Sequence, residues 1–86
     1  MLRIIYTAAA IKSMKNQPAN RQARVLAMIQ SIAANPFESK TTRAPIKGRI
    51  DTFRQRLGAW RLLYRIDRAA GTVTILDFAP RGRAYR

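Results

Sequence analysis

The chain has 86 residues, with 17 Lys+Arg against 4 Asp+Glu and a formal net charge of +13. It contains no Cys and no His, which excludes a disulfide scaffold, a thiolate or imidazole metal site, a cysteine nucleophile and a histidine general base. Glu38, Asp51, Asp67 and Asp77 are the only carboxylate side chains, too few for a paired-carboxylate hydrolase or an oxygen-liganded metal centre, so no cofactor or metal is expected. An apolar fraction of 48% predicts one small folded domain spanning residues 1–86. No apolar run is long enough for a membrane span, and the start lacks the pattern of a secretion signal, so a cytoplasmic protein with no membrane partner is expected. So much like charge on a small body repels itself, and a polyanionic partner would relieve that repulsion.

Leu2–Tyr6 is rich in Ile and predicts a short strand. Thr7 is placed to cap a helix over Ala8–Lys15, with Ile11 and Met14 on its buried side. Pro18 suits the first position of a second helix. There Val25, Met28, Ile29 and Ile32 recur at i, i+3, i+4 and i+7, while Arg21, Arg24 and Ser31 lie off that face. Asn35-Pro36 ends this helix. Phe37–Arg49 reads as a basic surface connector broken by Pro45 and Gly48. From Ile50 the period becomes two: Phe53, Gln55 and Leu57 point one way, Arg54 and Arg56 the other. Gly58 permits a tight turn. Trp60, Leu62, Tyr64 and Ile66 then alternate with Arg61, Leu63 and Arg65. Asp67–Gly71 forms a second loop and Thr72–Phe78 a last strand, ended by Pro80. The expected fold is α+β, in the order β-α-α-β-β-β: an antiparallel sheet with two N-terminal helices packed on one face.

The charge concentrates late in the chain. Residues 43–86 carry +8, residues 1–42 carry +5, and Arg outnumbers Lys by 13 to 4. Strand parity gathers Arg54, Arg56, Arg61 and Arg65 on one face, with Asp51 and Asp67 at the strand ends and no acid expected between them. Guanidinium groups bind phosphate through paired N–H donors, so this face suits a nucleic acid. Trp60 and Tyr64 share parity with Leu62 and Ile66 and are read as core. Tyr85 lies in a polar basic tail, Arg81–Arg86, and is read as functional. Helix-turn-helix DNA readers fit poorly, because the cations sit on strands and tail. A membrane-surface helix fits poorly too, because neither helix is a basic amphipath with bulky aromatics.

The run Arg24-Val25-Leu26-Ala27-Met28-Ile29, then Asn35-Pro36-Phe37, Ile46-Lys47-Gly48, Phe53-Arg54-Gln55-Arg56 and Leu57-Gly58-Ala59-Trp60-Arg61-Leu62-Leu63-Tyr64-Arg65, closed by Arg81 and Tyr85, resembles the RelE/ParE superfamily of bacterial and archaeal toxins. The resemblance covers nearly the whole chain. RelE-branch members cut messenger RNA in the ribosomal decoding site, whereas ParE-like members poison DNA gyrase. Likeness to RelE implies a catalytic set of Arg54, Arg56, Arg61, Arg81 and Tyr85, with Lys47, Arg49, Arg65 and Arg83 as further RNA-binding positions. Arg54 and Arg56 stand where familiar RelE-like proteins have lysines.

The implied chemistry needs no metal. The RNA 2′-hydroxyl attacks the adjacent phosphate, and Arg61 and Arg81 stabilise the charge that builds on the phosphoryl oxygens. Arg54 and Arg56 hold the flanking phosphates, while Tyr85 stacks on a base or relays a proton. Arginine is a poor general base, which leaves Tyr85 and Lys47 as proton carriers. The resemblance also implies a cognate antitoxin with an acidic contacting segment, the ribosome and mRNA as targets, and operator DNA bound only through the antitoxin. A ParE-like gyrase inhibitor, and a basic module that blocks translation without cutting, remain as alternatives.

Overall fold

A computed structural model describes residues 1–36 and 44–80. Strand β1 spans Arg3–Tyr6. Thr7 stops it and starts helix α1, Ala8–Lys15: its backbone is extended, and its hydroxyl accepts from the Ala10 N–H at 3.1 Å. Helix α2 spans Ala19–Ala34. Pro18 is its N-cap, one position outside the helix rather than the first residue within it. Strands β2 (Ala44–Pro45), β3 (Thr52–Leu57), β4 (Trp60–Asp67) and β5 (Thr72–Pro80) follow.

The five strands form one sheet in the order β1-β5-β4-β3-β2. From β2 to β5 every pairing is antiparallel, as short connections dictate. β1 corrects the expectation of a wholly antiparallel sheet, because it pairs with β5 in parallel. The two helices between β1 and the rest of the sheet supply the long crossover that a parallel neighbour needs. β2 was not anticipated in the connector; its Pro45 is tolerated because an edge strand need not use every N–H. β3 and β4 join through Gly58-Ala59, with Gly58 at φ +62. A positive φ at the first central position alone is what a type II′ hairpin requires.

One face of the sheet is covered by α1 and α2. The core contains Ala10, Met14, Val25, Ile29, Ile32 and Ala33 from the helices and Leu62, Tyr64, Ile66, Val73, Ile75 and Phe78 from the strands. Ile11 is not buried as expected: it is 47% exposed, and Ala10 with Met14 forms the inward stripe instead. An i, i+4 pair faces the sheet at this short helix's docking angle, which turns Ile11 outward. Tyr64 is fully buried, and its hydroxyl bonds Gln55 Oε1 at 3.3 Å. Among the described residues no buried side-chain nitrogen or oxygen lacks a partner.

β1 ends opposite Ile75, so the rest of β5 presents a sheet edge. α1 closes that edge. The Thr7 hydroxyl donates toward the Ile75 and Leu76 carbonyls at 2.9 and 3.0 Å, and the Ser13 hydroxyl donates to the Phe78 carbonyl. Thr7 thus caps the helix and ties it to the strand with one side chain. Thr7→Ala is expected to cost about 1–2 kcal/mol of unfolding free energy in a denaturant titration, and Thr7→Ser to restore most of it.

Candidate functional site

The face of the sheet away from α1 and α2 is built from rows of cross-strand partners. Arg56 on β3 lies opposite Arg61 on β4, and Arg61 lies opposite Ala79 on β5. In the next row Arg54 faces Leu63, and Leu63 faces Asp77. In the third, Thr52 faces Arg65, and Arg65 faces Thr74. Like charges directly opposite one another destabilise a strand pair by roughly 0.2–1 kcal/mol, and the Arg56–Arg61 pair carries that cost.

The four strand arginines are on one face, as parity predicts, but they differ in depth. Arg54 and Arg61 are half-buried, whereas Arg56 and Arg65 are exposed. Leu63 is only 6% exposed although it belongs to this outer face and not to the main core. It forms an apolar floor among arginines, whose aliphatic stems can cover it. Lys47 and Arg49 are exposed in the β2–β3 turn, beyond Thr52. Arg56 lies four residue steps along β3 from Thr52, about 13 Å at 3.3 Å per residue. Lys47, Arg49 and Arg65 therefore occupy one end of the face and Arg56 and Arg61 the other, with Arg54 in the row between them. Arg81, Arg83 and Tyr85 lie outside the described residues.

Asp77 was missed as a member of this face. The expectation of an acid-free centre fails because β5 has a bulge opposite Leu63/Tyr64: Tyr64 pairs with Ile75, but Leu63 pairs with Asp77. The signal in the sequence is the spacing of Val73, Ile75 and Phe78, all fully buried, which a regular period of two cannot satisfy. Arg21 is a second correction. It is half-buried and reaches back over Trp60, 5.1 Å from the ring centroid, and its guanidinium donates to Gln17 Oε1 at 2.9 Å. Trp60 stacks on Phe78 with centroids 5.0 Å apart. The indole is thus held between a core phenyl ring and a cation at the start of the strand that carries Arg61.

The family model for the ParE toxin of type II toxin–antitoxin systems (parDE) matches residues 4–85. The chain belongs to this family, within the RelE/ParE superfamily of type II toxins. No curated protein matches it significantly. Among solved structures, this toxin is similar to one from an archaeal RelE–RelB complex of Pyrococcus horikoshii, with 26% identity, TM-score 0.81, and coverage of 96% of this chain and 98% of that one. It is similar to one from the RelBE2 toxin–antitoxin complex of Mycobacterium tuberculosis, with 29% identity, TM-score 0.75, and coverage of 93% and 98%. The intact E. coli RelBE complex shares the fold at 13% identity, TM-score 0.82, with 96% of this toxin and 100% of that chain covered. Among the described residues of the toxin, no helix is long and apolar enough to cross a membrane.

Trp60 is the toxin's single tryptophan, so its fluorescence reports the Arg21 contact directly. Arg21→Ala is expected to red-shift the emission and to lower stability by about 0.5–1 kcal/mol. Arg24→Ala, at an exposed position of the same helix, is expected to change neither.

Proposed function

We propose that the toxin is a ribosome-dependent, metal-independent endoribonuclease that cuts mRNA by attack of a 2′-hydroxyl on the adjacent phosphate. The observation that carries this is the Arg56–Arg61 cross-strand pair, with Arg54 beside it, on the face of the sheet away from α1 and α2. A phosphodiester set against this face would meet converging guanidinium groups, and the charge of an in-line transition state grows on the oxygens they contact. Arg61 stabilises the phosphoryl oxygens together with Arg81, while Arg54 and Arg56 hold the flanking phosphates. Lys47, Arg49, Arg65 and Arg83 extend the track. Tyr85 stacks on a base or carries a proton. No histidine is present to take the proton, so much of the rate is assigned to in-line positioning of the RNA on the ribosome.

The Pyrococcus horikoshii and Mycobacterium tuberculosis structures, both above 25% identity, are a RelE–RelB complex and a RelBE2 toxin–antitoxin complex, and they support this branch and a cognate antitoxin for the present chain. A face with this charge would be neutralised by an acidic antitoxin segment, and operator DNA would be met through the antitoxin. The ParE description of the matching family favours a second reading, a DNA gyrase poison on the same fold. Mapping transcript 5′ ends after induction without antitoxin separates the two. Cuts within translated codons are expected; intact transcripts with double-strand DNA breaks would instead establish the gyrase target.

Arg61→Ala is expected to abolish toxicity in a folded protein, while Arg24→Ala leaves it near wild type. Equal loss from both would show that bulk charge acts and the constellation does not. RNA affinity is expected to fall with salt at a log–log slope of about −4, for five or six phosphate contacts at roughly 0.7 each. A flat titration would rule out a phosphate-binding face.

A further inference from the structure

A cleft of about 420 Å³ separates the end of α1 from the last residues of β5, beside the cationic face. Its walls include Lys12 and Asn16 from α1, Trp60 from β4, and Asp77, Ala79 and Pro80 from β5. Two polar side chains that also line it are engaged in holding the fold. Ser13 donates to the Phe78 carbonyl; Gln17 donates to the Ser13 carbonyl and accepts from Arg21. Lys12 and Asn16 are different: both are exposed, and neither side chain has a hydrogen-bonding partner among the described residues. Asp77 Oδ1 accepts from the Phe78 N–H at 2.8 Å, which fixes the carboxylate in place and leaves Oδ2 and further lone pairs for a ligand. The cleft therefore offers a fixed pair of acceptor oxygens on one wall, uncommitted donors on the opposite wall, and apolar surface from the half-buried Trp60 and Pro80 between them.

We propose that this cleft is a nucleobase pocket that selects guanine in the RNA strand held by Arg56 and Arg61; it rests on the RNA-cleaving function proposed above. Guanine presents two adjacent donors, N1–H and the N2 amino group, which match the two oxygens of one carboxylate. Adenine and cytosine each set a single donor group beside an acceptor, and uracil sets one donor between two acceptors. Guanine also carries the O6 and N7 acceptors, which suit the Lys12 ammonium and the Asn16 amide. Single-stranded RNA is read in this manner, by hydrogen bonds to the edges of splayed bases lying against apolar side chains. The pocket is connected to the cationic face through Ala79, which lines the cleft and is the cross-strand partner of Arg61. Such partners lie about 5 Å apart, so a base in the cleft belongs to the nucleotide whose phosphate meets Arg61, or to its neighbour. Asp77 thereby acts as a specificity residue, and its charge keeps a bare phosphate out of the cleft.

The test is an amide-resolved NMR titration of the purified toxin with GMP, AMP, CMP and UMP. GMP is expected to shift the amides of Lys12, Asn16, Asp77 and Ala79 with at least tenfold tighter apparent binding than the other three nucleotides. Asp77→Asn keeps an oxygen for the Phe78 N–H but replaces an acceptor with a donor, and is expected to erase the GMP preference. Lys12→Ala is expected to weaken GMP without changing the order. Equal response to all four nucleotides, or shifts confined to Arg54, Arg56 and Arg61, would overturn the pocket. The transcript mapping stands apart from this outcome. Cut transcripts without GMP selectivity would leave a nuclease with no guanine pocket, and GMP selectivity with uncut transcripts would leave the pocket but not the nuclease.

Discussion

The bulge in β5 sets the relation between the core and the outer face. Val73, Ile75 and Phe78 are all fully buried against the helices, although 75 and 78 would point to opposite sides of a regular strand. Leu76 absorbs the extra position, and the pairing resumes with Asp77 opposite Leu63 and Phe78 opposite Leu62. Burial of Phe78 is the driving term, since a large aromatic side chain removed from water contributes about 1.5–3 kcal/mol. Without the bulge, the carboxylate of Asp77 would be aimed at an apolar core, where an unpaired charge is not tolerated. With it, Asp77 joins the cationic face, and Phe78 supports the indole that begins β4.

That register also explains why the arginines stay together. β4 is an inner strand, paired on both sides, and its Leu62, Tyr64 and Ile66 are buried. A one-residue slip would carry Arg61 and Arg65 into the core and bring Leu62 and Tyr64 to the surface, so the apolar side pins the charged side. The helices can cover only one face. The repulsive Arg56–Arg61 pair is held by core packing on the far side of the sheet, and a polyanion laid across the pair would turn this local cost into binding energy.

The edges of the sheet are handled by different means. β2 is two residues long and contains Pro45, which limits further pairing. The exposed end of β5 is closed by side chains: Thr7 and Ser13 bond its carbonyls, Asp77 accepts its own neighbour's N–H, and Pro80 has no N–H to satisfy. These contacts anchor α1 beside the strand and shape the cleft there. Structural closure of the edge and the polarity of the cleft thus come from neighbouring side chains on the same two elements.

Much of this toxin was legible in its sequence. The period-3.6 stripe of Val25, Ile29 and Ile32 specified α2, and the period-two run from Phe53 to Ile66 specified the β3–β4 hairpin, its turn at Gly58 and the shared face of Arg54, Arg56, Arg61 and Arg65, because these are local consequences of backbone geometry. The resemblance carried by the Gly58–Arg65 segment also reached the family. The parallel seat of β1, the small strand β2 and the exposure of Ile11 depended on how distant segments dock, which no local period encodes. The bulge that moved Asp77 to the outer face, and the reach of Arg21 to Trp60, were likewise decided only in the tertiary structure. The bulge answers the burial of Phe78 and the Arg21 contact follows the docking of α2 beside β4, and both depend on strands and helices far apart in the chain.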